Sequence, residues 1–211
     1  MAVEAAQAPH AAPVASARPL IHPAWVRVAH WINVVAVALM MMSGWEIYNA
    51  SPLFPFRFPR DVTLGGWLAG ALAWHFAAMW LFVVNGFVYV ALGFATGRFR
   101  RKFVPIRPGE LVGDVKAALT GRLAHDDLAV YNAIQKLLYV GVILAGIVIV
   151  LSGLSIWKPV QLQTLTALFG GYEAARYVHF AAMSAIAGFV VIHTVMAFVV
   201  PKSLRAMITG R

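Results

Sequence analysis

Residues 176–193 read RYVHFAAMSAIAGFVVIH, an apolar segment that carries two histidines fourteen positions apart. Fourteen residues of α-helix make close to four turns, so His179 and His193 lie on nearly the same face, roughly 21 Å apart along the axis. That separation is most of the thickness of a bilayer's hydrocarbon core, which is about 30 Å. The segment therefore predicts a membrane-spanning helix that presents one imidazole toward each membrane surface.

The composition of the whole chain also indicates that the protein lies in a lipid bilayer. Hydrophobic residues make up 61% of the chain, charged residues 12%, and the mean hydropathy is +0.76. A soluble domain is usually about half apolar and a quarter charged, so we expect an all-α integral membrane protein. The domain is a four-helix transmembrane bundle over residues 24–202, between a disordered tail (1–23) and a second tail (203–211). Its four predicted spans lie near residues 25–48, 66–95, 132–156 and 176–200.

The basic residues predict the orientation of the bundle. Twelve of them lie before the first span, between the second and third, or after the fourth: Arg18, Arg27, Arg98, Arg100, Arg101, Lys102, Arg107, Lys116, Arg122, Lys202, Arg205 and Arg211. Four belong to the other side: Arg57, Arg60, Lys158 and Arg176. Because cytoplasmic loops carry the excess of Lys and Arg, both termini and the middle loop are expected in the cytoplasm. The basic run at 97–102 is then a lipid-facing anchor, and nucleic acid is not an expected partner.

With this orientation, four histidines pair by their height in the membrane. His30 and His193 lie toward the cytoplasm, whereas His75 and His179 lie toward the outside. The chain has no cysteine, which excludes iron–sulfur clusters and thiolate metal sites and leaves histidine as the main soft ligand. The other histidines, His10, His22 and His125, fall in predicted tails or loops and are expected to be solvated.

Imidazoles that face each other from different helices, at two levels of one bundle, suit two stacked haems. An iron with two histidine ligands has no open position, which favours electron transfer over ligand chemistry. Two alternatives remain at this point. The histidines could be four unrelated residues that hydrogen-bond to neighbouring helices. Zinc is the other metal, but it prefers ligands clustered tetrahedrally at one level.

Two arginines each lie one turn before a histidine, in RVAHW at 27–31 and in RYVHF at 176–180. Arg27 and Arg176 would lie at opposite membrane faces, where a guanidinium can pair with the propionates of a haem. The alternative is that both side chains extend toward the membrane surface as ordinary interfacial arginines.

These motifs, together with WHFAAMW at 74–80, YNAIQKLLY at 131–139 and the fourteen-residue spacing in the last span, resemble a known family. It is the bacterial cytochrome b561 and nickel–iron hydrogenase cytochrome b family, which includes the membrane cytochrome b subunits of respiratory formate dehydrogenases. The resemblance covers about residues 24–202. It implies a multi-pass protein of the bacterial inner membrane with two b-type haems, one bound by His30 and His193 and the other by His75 and His179.

The resemblance also implies a quinone site near the cytoplasmic haem and a partner at the outer face. The stretches YNAIQKLLY and FGGYEAARYVHF look most like the branch found with periplasmic molybdopterin oxidoreductases. The proline-rich loop SPLFPFRFPRDVT at 51–63 departs from the family pattern, which leaves the identity of the partner open.

Polar residues near the inner pair are candidates for the quinone site. Asn132, Gln135 and Lys136 open the third span on the cytoplasmic side and share one helix face. They could hydrogen-bond a quinone carbonyl or transfer a proton, or they could simply form the start of the helix, with Lys136 reaching the membrane surface.

Three functions compete on this sequence. The favoured one is a diheme cytochrome b that transfers electrons between a periplasmic oxidoreductase, for which a molybdopterin enzyme is a candidate, and the quinone pool of the respiratory chain. The second is a self-sufficient superoxide oxidase of the same family, which passes electrons from superoxide to quinone. The third is a haem-free transporter or scaffold, although no inverted repeat of spans is evident.

Overall fold

The computed structural model describes residues 20–105, 107–119 and 131–211. Most of the predicted N-terminal tail, and part of the middle loop, lie outside the described residues, as do His10, Arg18, Arg122 and His125. Within the described ranges the chain forms eight α-helices: α1 (Ala24–Ala50), α2 (Leu68–Ala95), α3 (Arg98–Phe103), α4 (Pro108–Leu119), α5 (Ala133–Trp157), α6 (Gln163–Leu168), α7 (Tyr172–Val199) and α8 (Pro201–Thr209).

Four of these helices, α1, α2, α5 and α7, are long and apolar enough to cross a membrane. At a rise of about 1.5 Å per residue each exceeds the hydrocarbon thickness of about 30 Å. Large apolar side chains face outward, among them Phe87 at 74% and Phe198 at 72% exposure. Small residues such as Ala36 and Ala71 are fully buried, as expected where helices pack in lipid. The structure is thus the all-α, four-span bundle that the hydropathy predicts.

The long helices pack as two pairs. Helix α1 lies along α2, and α5 lies along α7, whereas helices of different pairs approach each other much less closely. Both pairs bury small residues at matching positions. Ala71 of α2 and Ala175 of α7 are each 0% exposed, and so are Ser43 of α1 and Ser152 of α5.

The two pairs repeat a short sequence pattern, and each pair is called a copy of this repeat. The sequence HFAAM occurs at 75–79 in α2 and again at 179–183 in α7, and both helices have 28 residues. A Ser-Gly step at 43–44 in α1 recurs at 152–153 in α5. Within this alignment Tyr139 of α5 corresponds to His30, and Tyr89 of α2 corresponds to His193. The copies run in the same direction, so the repeat is not the inverted kind found in transporters.

The bundle has two ends that need separate names. We call the end where α1 and α5 begin and where α2 and α7 finish the terminal face. The opposite end, which carries the α1–α2 connection (51–67) and the α5–α7 connection (158–171), is the hairpin face. The pair His30 and His193 lies toward the terminal face and is called the terminal pair, and His75 and His179 form the hairpin pair.

The two ends of the described chain meet at the terminal face. The N–H groups of Ile21 and His22 donate to the carbonyl of Gly210, at 2.9 and 3.3 Å. Gly210 has φ 91°, a left-handed conformation that ends α8 and that glycine adopts without strain. Residues 20–23 and α8 therefore contact each other, and the sequence analysis places residues 20–23 in the first tail and most of α8 in the second. Helix α8 has only nine residues, too few for a hydropathy window of about 19 residues to detect.

Candidate functional site

The two rings of the terminal pair face each other across the bundle. The centroids of His30 and His193 are 5.9 Å apart, with the ring planes at 65°. A metal–imidazole bond is about 2 Å long, so a metal held between two opposed imidazoles separates the ring centres by roughly 6 Å. The observed separation fits that arrangement.

Aromatic side chains hold the terminal pair in place. His193 stacks on Phe189, with centroids 5.4 Å apart and planes at 10°. His30 meets the edge of Trp31 at 5.2 Å and 79°. Tyr139, the counterpart of His30 in the other copy, packs against Phe189 at 6.2 Å. The terminal pair thus lies in an aromatic environment that contains contributions from both copies.

The hairpin pair has a different environment, built from serine and glycine. Nδ1 of His75 is 3.0 Å from Oγ of Ser43, and Nδ1 of His179 is 3.1 Å from Oγ of Ser152. His75 in α2 and His179 in α7 are equally far from the starts of their helices, so the two rings lie at corresponding levels of the bundle. Each of these contacts joins the two helices of one pair, so each copy of the unit contributes one complete half of the hairpin site.

Glycines let the hairpin rings approach the neighbouring helices. A Cβ atom at Gly153 would lie 3.1 Å from Cε1 of His179, and one at Gly44 would lie 3.4 Å from Cε1 of His75. The first distance is shorter than ordinary van der Waals contact. A side chain at position 153 would therefore push the His179 ring a few tenths of an ångström from its observed position.

The arrangement favours paired ligands over a zinc site. Among the residues that the structure describes, no group of three or more His, Asp or Glu side chains could hold a metal ion. The four membrane histidines instead lie at two levels of the bundle, and the rings of His30 and His193 are opposed at 5.9 Å. Two opposed imidazoles are an arrangement that suits an iron held in a planar macrocycle.

Both predicted propionate arginines have protein partners. Arg27 Nη1 donates to the carbonyl of Ile208 at 2.6 Å, at the C-terminal end of α8, where a positive charge is favourable. Arg27 Nε is buried and has no hydrogen-bond partner among the described residues. Arg176 donates through Nη2 to the carbonyl of Ser51 at 2.6 Å and forms an ion pair with Glu173 at 3.0 Å. Arg176 thereby attaches the α1–α2 connection to α7.

The predicted quinone residues form the start of α5. Asn132 Oδ1 accepts from the N–H of Gln135 at 2.8 Å, and Gln135 Oε1 accepts from the N–H of Asn132 at 3.1 Å. This reciprocal capping box satisfies two backbone donors at the helix end. Lys136 Nζ donates to the carbonyl of Pro105 at 3.0 Å. The cap uses the oxygen atoms of the two amides and leaves their NH2 groups outside it.

His22 is packed rather than solvated, contrary to the sequence-based expectation. Arg98 Nη2 donates to Nδ1 of His22 at 3.2 Å. Burial, and to a smaller extent the nearby charge of Arg98, lower the pKa of His22 to about 4. Burial raises the pKa of Tyr131, which lies beside Lys102 at 5.2 Å from ring centroid to Nζ. His22 and Tyr131 are therefore neutral groups within a basic terminal face.

The sequence analysis missed Ser43 and Ser152, the polar partners of the hairpin pair. Serine in a membrane helix is common and carries little signal by itself. The signal that would have identified these residues is the repeat, because Ser-Gly and HFAAM recur with the same relation to each other in both copies.

The fold and the paired histidines define a class of protein, a four-helix membrane bundle of the kind that holds haem between its helices. This chain belongs to the prokaryotic cytochrome b561 family, whose model matches residues 21–210. It is therefore a membrane electron-transfer protein of the bacterial inner membrane, and haem b is the cofactor that the family implies. The fit of the terminal pair agrees with that cofactor.

Two relatives illustrate the range of the family. The chain is 55% identical over 190 residues to the putative protein-methionine-sulfoxide reductase subunit YedZ1 of Azospira oryzae, covering 90% of this chain and 96% of the relative. It is 26% identical over 190 residues to the cytochrome b556(Fdn) subunit of the nitrate-inducible formate dehydrogenase of Escherichia coli K12, covering 88% and 80%. Both relatives are named as subunits of oxidoreductases.

Proposed function

We propose that this chain is a diheme cytochrome b that transfers electrons between a periplasmic oxidoreductase and the membrane quinone pool. The observation that carries the proposal is the opposed pair of rings of His30 and His193. The equivalent positions of His75 and His179 in α2 and α7 support a second pair at another level. His30 and His193 would hold one haem near the terminal face, and His75 and His179 the other near the hairpin face. Haem b supplies an iron that takes up and releases single electrons.

The residues of the chain would bind and orient these groups. Two imidazoles would hold each iron and would keep oxygen and substrates from the metal. The fourteen-residue spacing places the two ligands of α7 roughly 21 Å apart along the helix, so the two centres together extend across most of the bilayer. Two centres at these depths allow electrons to cross the membrane.

Arg27 is the residue best placed to pair with a propionate of the terminal haem. Its buried Nε has no hydrogen-bond partner among the described residues, and an unpartnered buried donor is costly. A propionate oxygen would satisfy it. Arg176 lies at the corresponding position near the hairpin pair, but Ser51 and Glu173 already engage its guanidinium. A propionate there would have to share it with them.

We propose that the terminal face is cytoplasmic and the hairpin face periplasmic. The support is the twelve basic residues on the terminal side against four on the other. The N- and C-termini would both lie in the cytoplasm under this orientation, and an electron-transfer partner would bind from the periplasm.

The α1–α2 connection is the proposed docking point for that partner. Asn49 braces it with two hydrogen bonds to the backbone of Phe58, at 2.9 and 2.8 Å. Phe54 and Phe56 are 42% and 45% exposed, and Arg57 beside them is exposed as well. Exposed aromatics with an arginine are typical of protein interfaces. The surface lies directly beyond the hairpin pair, which shortens the route for electrons.

One relative supports a proposal for the identity of the partner. Because one relative of 55% identity is named as a protein-methionine-sulfoxide reductase subunit, we propose a periplasmic reductase of this kind, for which a molybdopterin enzyme remains a candidate. Electrons would then run from quinol, through this chain, to the reductase.

The quinol is proposed to bind at the terminal face near Asn132, Gln135 and Lys136. The amide NH2 groups outside the capping box and the ammonium of Lys136 are hydrogen-bond donors suited to quinone oxygens. These residues begin α5, and Tyr139 one turn further on packs against Phe189, which stacks on His193. A headgroup there would lie close to the terminal pair.

The experiment is quinol-driven reduction of the purified chain in liposomes. A short-chain quinol is expected to reduce both haems of the wild type. An Asn132→Asp variant keeps the oxygen that caps α5 but loses the NH2 donors, and slower reduction with unchanged thermal stability would support the quinone role of Asn132. A wild type that carries haem yet is not reduced by ubiquinol or menaquinol would contradict the proposed function.

A further inference from the structure

Two buried serines hold the rings of the hairpin pair in the same way. Ser43 and Ser152 are both 0% exposed. Their Oγ atoms lie 3.0 and 3.1 Å from Nδ1 of His75 and of His179. Because the two serines occupy matching positions of the repeat, the contact occurs once in each copy.

The direction of these hydrogen bonds can be assigned from the other contacts of the hydroxyl groups. Ser43 Oγ donates to the carbonyl of Leu39 at 2.6 Å, and Ser152 Oγ donates to the carbonyl of Val148 at 2.7 Å. A hydroxyl has a single hydrogen. Since that hydrogen points to a carbonyl, each serine oxygen accepts from the histidine, and Nδ1 carries the proton.

Backbone carbonyls support the same proton position. Each serine hydroxyl has a second carbonyl within reach, because Ser43 Oγ is 3.3 Å from the carbonyl oxygen of Met40 and Ser152 Oγ is 3.2 Å from that of Ile149. A carbonyl can only accept a hydrogen bond. Both rings therefore have their proton on Nδ1, which leaves the lone pair on Nε2, the atom at the far side of the ring from the serine.

We propose that Ser43 and Ser152 are matched positioning residues that fix the tautomer and orientation of His75 and His179 for binding one haem iron through Nε2. The inference rests on the proposed haem ligation. A hydrogen bond from Nδ1–H to an acceptor makes the ligand nitrogen more basic and stabilises the higher charge on a metal. The two serines thus favour the oxidised form of the haem at the hairpin pair and lower its reduction potential.

The inference predicts different effects of the serine substitutions at the two sites. The terminal pair is held by aromatic contacts to Trp31 and Phe189. A change at either serine should therefore alter the haem at the hairpin pair and leave the haem at the terminal pair unchanged.

The test compares Ser43→Ala, Ser152→Ala and the double variant with Ser155→Ala. Ser155 is an equally buried serine of α5 that donates to the carbonyl of Leu151 at 3.1 Å. Haem content, the reduction potential of each haem and the low-spin electron paramagnetic resonance spectrum are measured on the purified full chain. The signal of the hairpin haem is identified as the one missing from His179→Ala.

We expect each single alanine variant to shift the potential of the hairpin haem to a more positive value by a similar amount, and the double variant to shift it further. Retention of that haem during dilution should fall by about tenfold or more. Ser152→Thr, which keeps a hydroxyl, should return the potential toward the wild type. Ser155→Ala should match the wild type throughout.

Two results overturn the inference in distinguishable ways. If the wild type holds two haems and the serine variants match Ser155→Ala in potential, spectrum and retention, the positioning role is wrong and the proposed function stands. If the wild-type protein purified with adequate haem supply holds no haem, the proposed function itself fails.

Discussion

The terminal and hairpin pairs lie in one bundle, but they differ in the positions of their histidines within the repeat and in the side chains that contact the rings. At the hairpin pair both histidines occupy the same position of a repeated unit, and each is held by a serine of its own copy. At the terminal pair the two histidines occupy different positions of the repeat. In the other copy, Tyr139 is equivalent to His30 and Tyr89 is equivalent to His193. The hairpin site is thus symmetric and the terminal site is not.

The largest expected effect comes from removal of one histidine from either pair, because each removal should cause the loss of a different haem. His179→Ala should lower the haem content from two to one per chain, and His193→Ala should do the same with loss of the other spectral component. His22→Ala is the control, because His22 lies at the terminal face and bonds to Arg98, and it should keep both haems. Haem extraction and quantification against protein measures the outcome. Loss of the same spectral component in both histidine variants would show that the pairing by height is wrong.

A smaller effect should be confined to the hairpin pair. Gly153→Ala places a methyl group 3.1 Å from Cε1 of His179, and Gly44→Ala places one 3.4 Å from Cε1 of His75. Overpacking of this kind costs about 1–3 kcal/mol, so Gly153→Ala should disturb the hairpin haem more than Gly44→Ala. Gly188→Ala is the matched control, because nothing lies within 4 Å of its Cβ position. Equal spectra for all three variants would contradict the close approach of the His179 ring.

The corresponding test of the terminal pair is Arg27→Gln. Removal of the positive charge should make the potential of the terminal haem more negative, by about 60 mV if the pairing contributes about 1.4 kcal/mol. Arg205→Gln, at an exposed position of α8, serves as the control. Redox titration followed by optical absorption measures both. If the reduction potential of the hairpin haem shifts and that of the terminal haem does not, the proposed pairing of Arg27 with the terminal haem is wrong.

The smallest expected effect concerns stability at low pH. Burial lowers the pKa of His22 from 6.5 to about 4, so between these values the unfolded chain binds a proton that the folded chain does not. Stability then rises with pH across this window and is lost as pH falls. The wild type should lose more thermal stability between about pH 7 and about pH 5 than His22→Gln does. Melting followed by tryptophan fluorescence in detergent tests this, and identical pH dependence would contradict a packed neutral His22.

Much of this structure could be predicted from the sequence because lipid imposes simple rules. Apolar length predicted four membrane helices, and the four long helices confirm the fold class. The heights of His30 and His193 along their helices predicted that they would meet, and their rings lie 5.9 Å apart. Both predictions need only the rise of a helix and the direction in which it runs.

The remaining features depend on contacts between distant parts of the chain. Nothing in the local sequence shows that Arg27 reaches the carbonyl of Ile208, or that Gly210 accepts from Ile21. Asn132 and Gln135 were candidates for quinone binding because they are polar, but polarity does not distinguish a ligand from a helix cap. The structure shows the cap, and the quinone role rests on the atoms that the cap leaves outside.

The measurement that tests the central claim most directly is the haem content and low-spin spectrum of the purified full chain, produced with adequate haem supply. Four histidines in two opposed pairs predict two b-type haems per chain, both six-coordinate and low-spin, with two electron paramagnetic resonance signals because the two sites are built differently. A single haem, a high-spin iron that binds carbon monoxide, or a colourless protein would contradict that account.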